Sequence, residues 1–537
     1  MRRSRTVCAA FLLCCLSLCA GGAAAQQQQS SNTYANPVIA GDYPDPSVIR
    51  VGNDYWATAT TGGWAPHFSI LRSSDLINWS TVGAVFQKRP AWVKGDFWAP
   101  EIREDSGRYF VFYTGRRDDG QGKRGTLCVA VATADAPAGP YTDHGPLVCQ
   151  ISERKNVGSI DPFFVRDEND EPYLIWKADG NDAEPDEPTS IFAQRLSRDF
   201  QKLLGKRKEI LRNTTTSWEK HVTEGSFIIK RGGWFYHFYS GNACCGRSCD
   251  YALGVARSRK LLGPWEKNPA NPILAANDAW QCPGHGSIVT TADGRDYLLY
   301  HAYRKSADAF HIGREALLDE VVWGDNGWPV INAGRGPSGT AAVPVSNAAD
   351  AAKAQREFFD GFTSQELGAS WQWPMANEQE ARVDAAAGFL TLAPTRQGSD
   401  NLTGAVLAER AGSGDYVAMT LVDKRVMTAG ATAGLAAYSW RDNAVGVSVS
   451  RGQIFVWHRD GRDRQAGAGV PAPSTPSVYL RMTVMGGEQF RFAFSANGRD
   501  WTDLSPVVHA PNVEGAHVAL TAGGAGGRFD WVKITTK

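Results

Sequence analysis

The chain has no surplus of either charge: 56 Lys and Arg stand against 56 Asp and Glu in 537 residues. No broad basic field is therefore available to grip nucleic acid, and there is no acidic tail, so a neutral ligand is the expectation. The apolar run from Val7 to Cys19 is shorter than the roughly 20 residues a spanning helix needs, which argues against a membrane protein. Patterns of helical period are scarce as well, and that disfavours a parallel α/β architecture. Histidine is missing at ligand spacing beside Cys244-Cys245-x-x-x-Cys249, so this cluster points to a structural disulfide rather than a metal site.

What is present begins with a leader. Arg2, Arg3 and Arg5 precede the apolar run, and Ala23-Ala24-Ala25 follow it, the layout of a signal peptide over residues 1–25. The mature chain is then secreted or periplasmic, with no membrane partner. Lipid attachment at Cys19 is the weaker alternative, because Leu18 is large where such sites want a small residue. Beyond the leader six cysteines remain, Cys128, Cys149, Cys244, Cys245, Cys249 and Cys282, an even number that fits disulfides in an exported chain without fixing their pairing.

After a Gln- and Ser-rich linker over 26–35, one pattern recurs. Segments starting at Asp45, Glu101, Asp161, Glu224 and His285 are spaced by 56, 60, 63 and 61 residues. Each runs from a polar residue through an apolar stretch to a turn such as Gly52-Asn53, Ser106-Gly107 or Gly232-Gly233, then into an aromatic-rich stretch. These are hairpins by composition. A second strand pair follows, as at Ser69 to Leu76 and Ala252 to Ser258. Five units of four strands predict an all-β, five-bladed β-propeller over 36–345. The stretch from Gly334 to Asp350 is rich in Gly, Ala, Pro, Ser and Asn and reads as linker, and the linker between the two domains is set at 346–357. The short alternating runs of 358–537 predict a β-sandwich, jelly-roll or concanavalin-like. Its Trp371, Trp373, Trp440 and Trp457 suit a binding face and core packing equally.

Equivalent repeats would bring Asp45, Glu101, Asp161, Glu224 and His285 to the same end of a central channel. Gathered carboxylates push each other's proton affinities apart, which creates one donor and one base. Such a pair across a sugar-sized gap is the apparatus of glycoside hydrolysis. Aromatic rings at Trp64, Phe68, Trp98, Trp176 and Trp218 suit stacking on sugar faces, and Trp98 and Trp176 are taken as substrate-binding candidates with Glu101 and His285.

The stretch Asn36 to Val345 resembles glycoside hydrolase family 43, enzymes acting on xylan, arabinan and related plant polysaccharides. The resemblance rests on Tyr43-Pro44-Asp45-Pro46, Gly158-Ser159-Ile160-Asp161-Pro162 and Thr223-Glu224-Gly225. Trp98-Ala99-Pro100-Glu101, Gly284-His285-Gly286-Ser287 and Gly313-Arg314-Glu315 add to it. It implies that Asp45 is the general base, Glu224 the general acid, and Asp161 the residue that orients the acid and tunes its pKa, with inversion at the anomeric carbon. It implies a substrate contact for Arg314, which would also steady Glu224 or Asp161 as an anion. Relatives sometimes hold calcium or a water cluster near His285, so a structural calcium bound through water is the one metal expectation; no cofactor is required. Asp42 is a weaker candidate for the base, with turn capping as its plain role.

The expected substrate is an oligosaccharide or polysaccharide, cut by an exo-acting α-L-arabinofuranosidase or β-xylosidase. Two alternatives stand beside it: an endo-acting arabinanase with the same three acids, and a non-catalytic carbohydrate-binding propeller. The loops Thr61 to Phe68 and Asn181 to Thr189 would decide between exo and endo.

Overall fold

The computed structural model describes residues 33–118, 125–149, 157–182, 189–345, 357–376, 379–384, 386–395 and 402–537. The leader, with its four cysteines, and positions 183–188 of the expected rim loop lie outside these. Among the described residues no helix is long and apolar enough to cross a membrane.

Five four-stranded antiparallel sheets follow one another along the first part of the chain. Their first strands are Ser47–Val51, Val93–Asp105, Ser159–Arg166, Thr223–Arg231 and Trp280–Thr290. The expected hairpin turns fall where composition put them; Val51 pairs with Asp54 around Gly52-Asn53, and Arg231 with Trp234 around Gly232-Gly233. Four of these first strands are mostly buried, and Val93–Asp105 is buried chiefly around Phe97 and Ala99–Ile102. Sheets covered on both faces read as continuous apolar runs rather than as alternation, which is the pattern of Phe163-Phe164-Val165 and Leu174-Ile175-Trp176.

Each sheet is tied to its predecessor through main-chain N–H groups of its first strand that donate to side chains. Ile102 donates to Ser47 Oγ at 3.1 Å, Asp161 to Thr114 Oγ1 at 3.2 Å, Gly225 to Asp161 Oδ2 at 3.0 Å, and His285 to Ser240 Oγ at 2.8 Å. Val48 closes the cycle by donating to Ser287 Oγ of the fifth sheet at 2.7 Å. Buried backbone donors must find acceptors, and here the acceptors are hydroxyls and a carboxylate of the neighbouring sheet. Thr33–Ala35 pairs with Thr340–Ala342. Residues read as linker, at 33–35 and 340–342, are thus strands that fasten the two ends of this unit, because their unpaired N–H and C=O groups satisfy each other.

The second unit is a two-sheet sandwich of a nine-stranded and a six-stranded sheet. Strict alternation, as in Ser477–Met485, sends Val478, Leu480, Met482 and Val484 into the shared core. The units interlock: Trp373–Pro374 pairs with Trp64–Ala65 of the first unit, and the Trp64 ring stacks on His517 with centroids 3.9 Å apart. Arg410 lies over Tyr43 at 4.2 Å and donates from Nε to the Asp42 carbonyl at 3.2 Å. Of the four tryptophans considered for a binding face, Trp371 and Trp457 are core, Trp440 packs on Gly62 and Gly63, and Trp373 is part of the joining strand.

Disulfides join Cys128 to Cys149, Cys244 to Cys245 and Cys249 to Cys282. The Cys244 cluster is therefore covalently closed, as its lack of a neighbouring histidine suggested.

Candidate active site

The site is built on one backbone device used five times. Asp45, Ala99, Asp161, Gly225 and His285 all have positive φ, between 42° and 62°. In the second to fifth sheets this residue and the next oppose a single partner, as Asp161-Pro162 do between the pairs Ile160–Lys177 and Phe163–Ile175. These are β-bulges, which re-aim side chains at strand ends and next to sites. Gly225 is glycine for two reasons: its φ of 62° and a Cβ position 3.0 Å from His285 Cγ.

The bulges correct the expected equivalence of the five polar residues. Asp45, Asp161 and His285 are themselves the positive-φ residues, whereas Glu224 precedes Gly225 by one and Glu101 follows Ala99 by two. Aligning acid on acid hid this offset, since the backbone conformation rather than the residue type defines the repeat. Trp98, one residue before Ala99, occupies the position that Glu224 has in its own sheet.

Asp45 is held from four directions. Thr60 Oγ1 donates to Oδ2 at 2.7 Å while accepting from the Ala99 amide at 2.7 Å. Arg314 NH1 lies 3.2 Å from Oδ1, His301 Nδ1 at 3.3 Å and His285 Nδ1 at 3.4 Å. His301 Nδ1 also lies 3.1 Å from the Asp45 amide, and burial pushes the His301 pKa down to about 4. Burial alone would raise the Asp45 carboxyl; the Arg314 guanidinium, with the two histidines, overrides it and holds the carboxyl well below the usual range. Arg314 thus partners Asp45 rather than Glu224 or Asp161, because the turn after the short helix Ala309–Ile312 delivers it beside the first sheet. Asp42 Oδ1 accepts the Arg314 amide at 2.9 Å, a capping contact, and burial raises its pKa.

The second half of the site centres on Glu224. Its Oε2 accepts Lys177 Nζ at 2.6 Å and its Oε1 accepts Tyr251 Oη at 2.9 Å. Lys177 also reaches Asp179 at 3.2 Å. Burial would raise the Glu224 pKa, but the Lys177 ammonium outweighs it and lowers it. Asp161 moves the opposite way, pushed up to about 6 by burial and by the Glu224 charge against the pull of His285 and Lys177. Its Oδ2 accepts the Gly225 amide at 3.0 Å, which fixes the backbone directly beyond Glu224.

The remaining candidates divide. His285 Nδ1 lies 3.4 Å from Asp45 and 3.9 Å from Asp161, between the two. Glu101 pairs with Arg103 at 2.7 Å, and the Arg103 guanidinium lies 4.4 and 4.7 Å from the rings of Phe163 and Phe227; burial raises the Glu101 pKa. Trp98 is half-buried. Trp176 is a correction: fully buried, it packs with Phe192, Leu174 and Phe164 and has no surface for a ligand. A central strand covered on both faces buries its aromatics irrespective of their distance from the channel. Trp64 and Phe68 are buried as well, and Trp218 packs on Tyr239. Among the described residues no group of three or more His, Cys, Asp or Glu side chains is spaced to hold a metal ion. The arginine beside His285 and Asp45 supplies the positive charge there, so no step below is routed through calcium.

Lys177, Tyr251, His301 and Thr60 escaped the sequence reading. Lys177 and His301 did leave a signal: each sits inside an apolar strand, in Leu174-Ile175-Trp176-Lys177 and Leu299-Tyr300-His301-Ala302, and a buried polar group in such a run must have a partner.

Residues 34–329 match the family model described as Glycosyl hydrolases family 43, and 359–529 match that of the Beta xylosidase C-terminal Concanavalin A-like domain. The chain is 29% identical over 503 residues to Xylosidase/arabinosidase 43B of Humicola insolens, covering 88% of this chain and 89% of that one. It is 25% identical over 511 residues to Xylan 1,3-beta-xylosidase of a Vibrio species, covering 89% and 92%. The crystal structure of the GH43 BlXynB protein from Bacillus licheniformis superimposes with a TM-score of 0.79 at 24% identity, covering 94% of this chain and all of that one. That likeness carries the fold.

Proposed function

The chain belongs to glycosyl hydrolases family 43, and from that premise we propose that it is a secreted, inverting exo-glycosidase that removes arabinofuranosyl or xylosyl residues from plant cell-wall polysaccharides. The five four-stranded sheets are read as the blades of a five-bladed propeller over 36–345, followed by an accessory sandwich over 358–537. The substrate class follows the relatives, which are named as xylosidases, arabinosidases and arabinofuranosidases.

One observation carries the reading. Two carboxylates at the strand starts of different sheets each face a cation of their own, Asp45 facing Arg314 and Glu224 facing Lys177 with Tyr251 beside it, and Asp161 is linked to the second through Gly225 N–H. Asp45, kept ionised, takes the proton of the water that attacks the anomeric carbon. Glu224 gives a proton to the departing glycosidic oxygen. Asp161, through its bond from Gly225 N–H, holds the acid's backbone in place. Opposite faces for water and leaving group produce inversion.

The test is a panel of aryl arabinofuranosides, aryl xylosides and the corresponding oligosaccharides, with proton NMR of the first-formed anomer and analysis of product length. Release of single pentoses with inverted configuration is expected. Retention would overturn the mechanism, mid-chain products would favour the endo-acting arabinanase, and no turnover of any pentoside would leave a binding propeller.

A further inference from the structure

Lys177 lies on Pro172–Ala178, the second strand of the third sheet, and is fully buried. A buried ammonium must be paired, and this one has two partners, Glu224 Oε2 at 2.6 Å and Asp179 Oδ1 at 3.2 Å. Tyr251 occupies the other Glu224 oxygen at 2.9 Å, its ring stacked on His301 with centroids 5.8 Å apart. Both carboxylate oxygens therefore accept from donors that no leaving group has supplied. The charged and titratable groups facing Glu224 are Lys177, Tyr251, His285 and Asp161, with Asp179 behind Lys177.

We propose that Lys177 is a positioning residue for the proton donor: it fixes the Glu224 carboxylate through Oε2 and stabilises the negative charge that grows there as the proton passes to the glycosidic oxygen. The inference rests on Glu224 being the acid. The ammonium stands where charge develops rather than where it is lost, so it favours the transition state. The same contact makes Glu224 a stronger acid that carries its proton in a smaller share of molecules at neutral pH. Lys177 thereby sets how alkaline the medium can become before the donor is empty. Tyr251 supports the same anion from the opposite side.

The experiment compares pH profiles of kcat/KM for wild type, Lys177→Met, Lys177→Arg and the charge-balanced double variant Lys177→Met with Asp179→Asn, on a nitrophenyl pentoside and an alkyl pentoside. The double variant guards against misfolding caused by an orphaned Asp179. The alkaline limb should move up by about one pH unit or more when the ammonium is removed, and activity should fall roughly tenfold further on the alkyl than on the nitrophenyl substrate. Lys177→Arg should restore most of both. In an Glu224→Gln background the Lys177→Met change should have no further leaving-group effect. An unmoved alkaline limb, or a loss equal on both substrates, would overturn the proposal. If Glu224→Gln itself shows no leaving-group dependence, the acid assignment fails first, and that result is separate from any outcome at Lys177.

Discussion

Arg314 NH1 and Asp45 Oδ1 meet at 3.2 Å although 269 residues separate them in sequence. The contact joins the fifth sheet to the first, so the base is charged correctly only once the five sheets have come together. Replacing Arg314 with Met should raise the Asp45 pKa, because burial then acts without its main opponent. Asp45 must be ionised to act as base, so the acidic limb of the kcat/KM profile should move toward neutrality. A pH profile with an unchanged acidic limb would contradict the pairing.

Asp45→Asn and Glu224→Gln should differ in their dependence on the leaving group. Removing the base should cost about 10²–10⁴ in kcat whatever the leaving group. Removing the acid should cost that much on alkyl glycosides and far less on nitrophenyl glycosides, whose oxygen departs without a proton. Steady-state kinetics on both substrate types checks this.

Two tryptophans on adjacent sheets, unlike in exposure, should behave oppositely. Trp98 is half-buried, and Trp98→Ala should raise KM with little change in unfolding midpoint. Trp176 is fully buried, and Trp176→Ala should destabilise the fold by about 3–5 kcal/mol, measured by denaturant titration.

Acid should weaken the protein through its buried histidines. Burial holds His67 and His237 at about 3 and His301 and His311 at about 4, against an ordinary 6.5. Their folded values are depressed, so below 6.5 the unfolded chain binds protons that the folded one refuses. The stability they allow is complete above that pH and is lost as pH falls toward about 4, at up to about 1.4 kcal/mol per pH unit for each histidine. His311, packed by Tyr416 and Phe490 of the sandwich, is the one to vary: His311→Phe should flatten the fall of Tm between pH 7 and 5. An equally steep fall in the variant would show that other groups dominate.

Much of this arrangement was legible in the sequence, and the limits are specific. The hairpin turns at Gly52-Asn53 and Gly232-Gly233 declare themselves because few residues accept their backbone angles. The cluster of Asp45, Asp161, Glu224 and His285 followed from the repeat, since strands that begin alike end up side by side. Trp176 was misjudged because type and position in a strand do not say which side of a doubly covered sheet is the channel. Lys177 was missed because its role is a distance to Glu224, 47 residues away in sequence, and no spacing encodes that.

Of the five residues with left-handed backbone at the strand starts, four carry a Cβ: Asp45, Ala99, Asp161 and His285. Each left-handed residue of this kind costs about 1–2 kcal/mol. Selection for heat resistance would therefore find an easy gain in turning these positions into glycine, and would blunt the enzyme wherever the lost side chain was a carboxylate or an imidazole. Ala99 is the exception, with no functional group to lose. Glycine at Ala99 would relieve the left-handed backbone without removing a functional side chain.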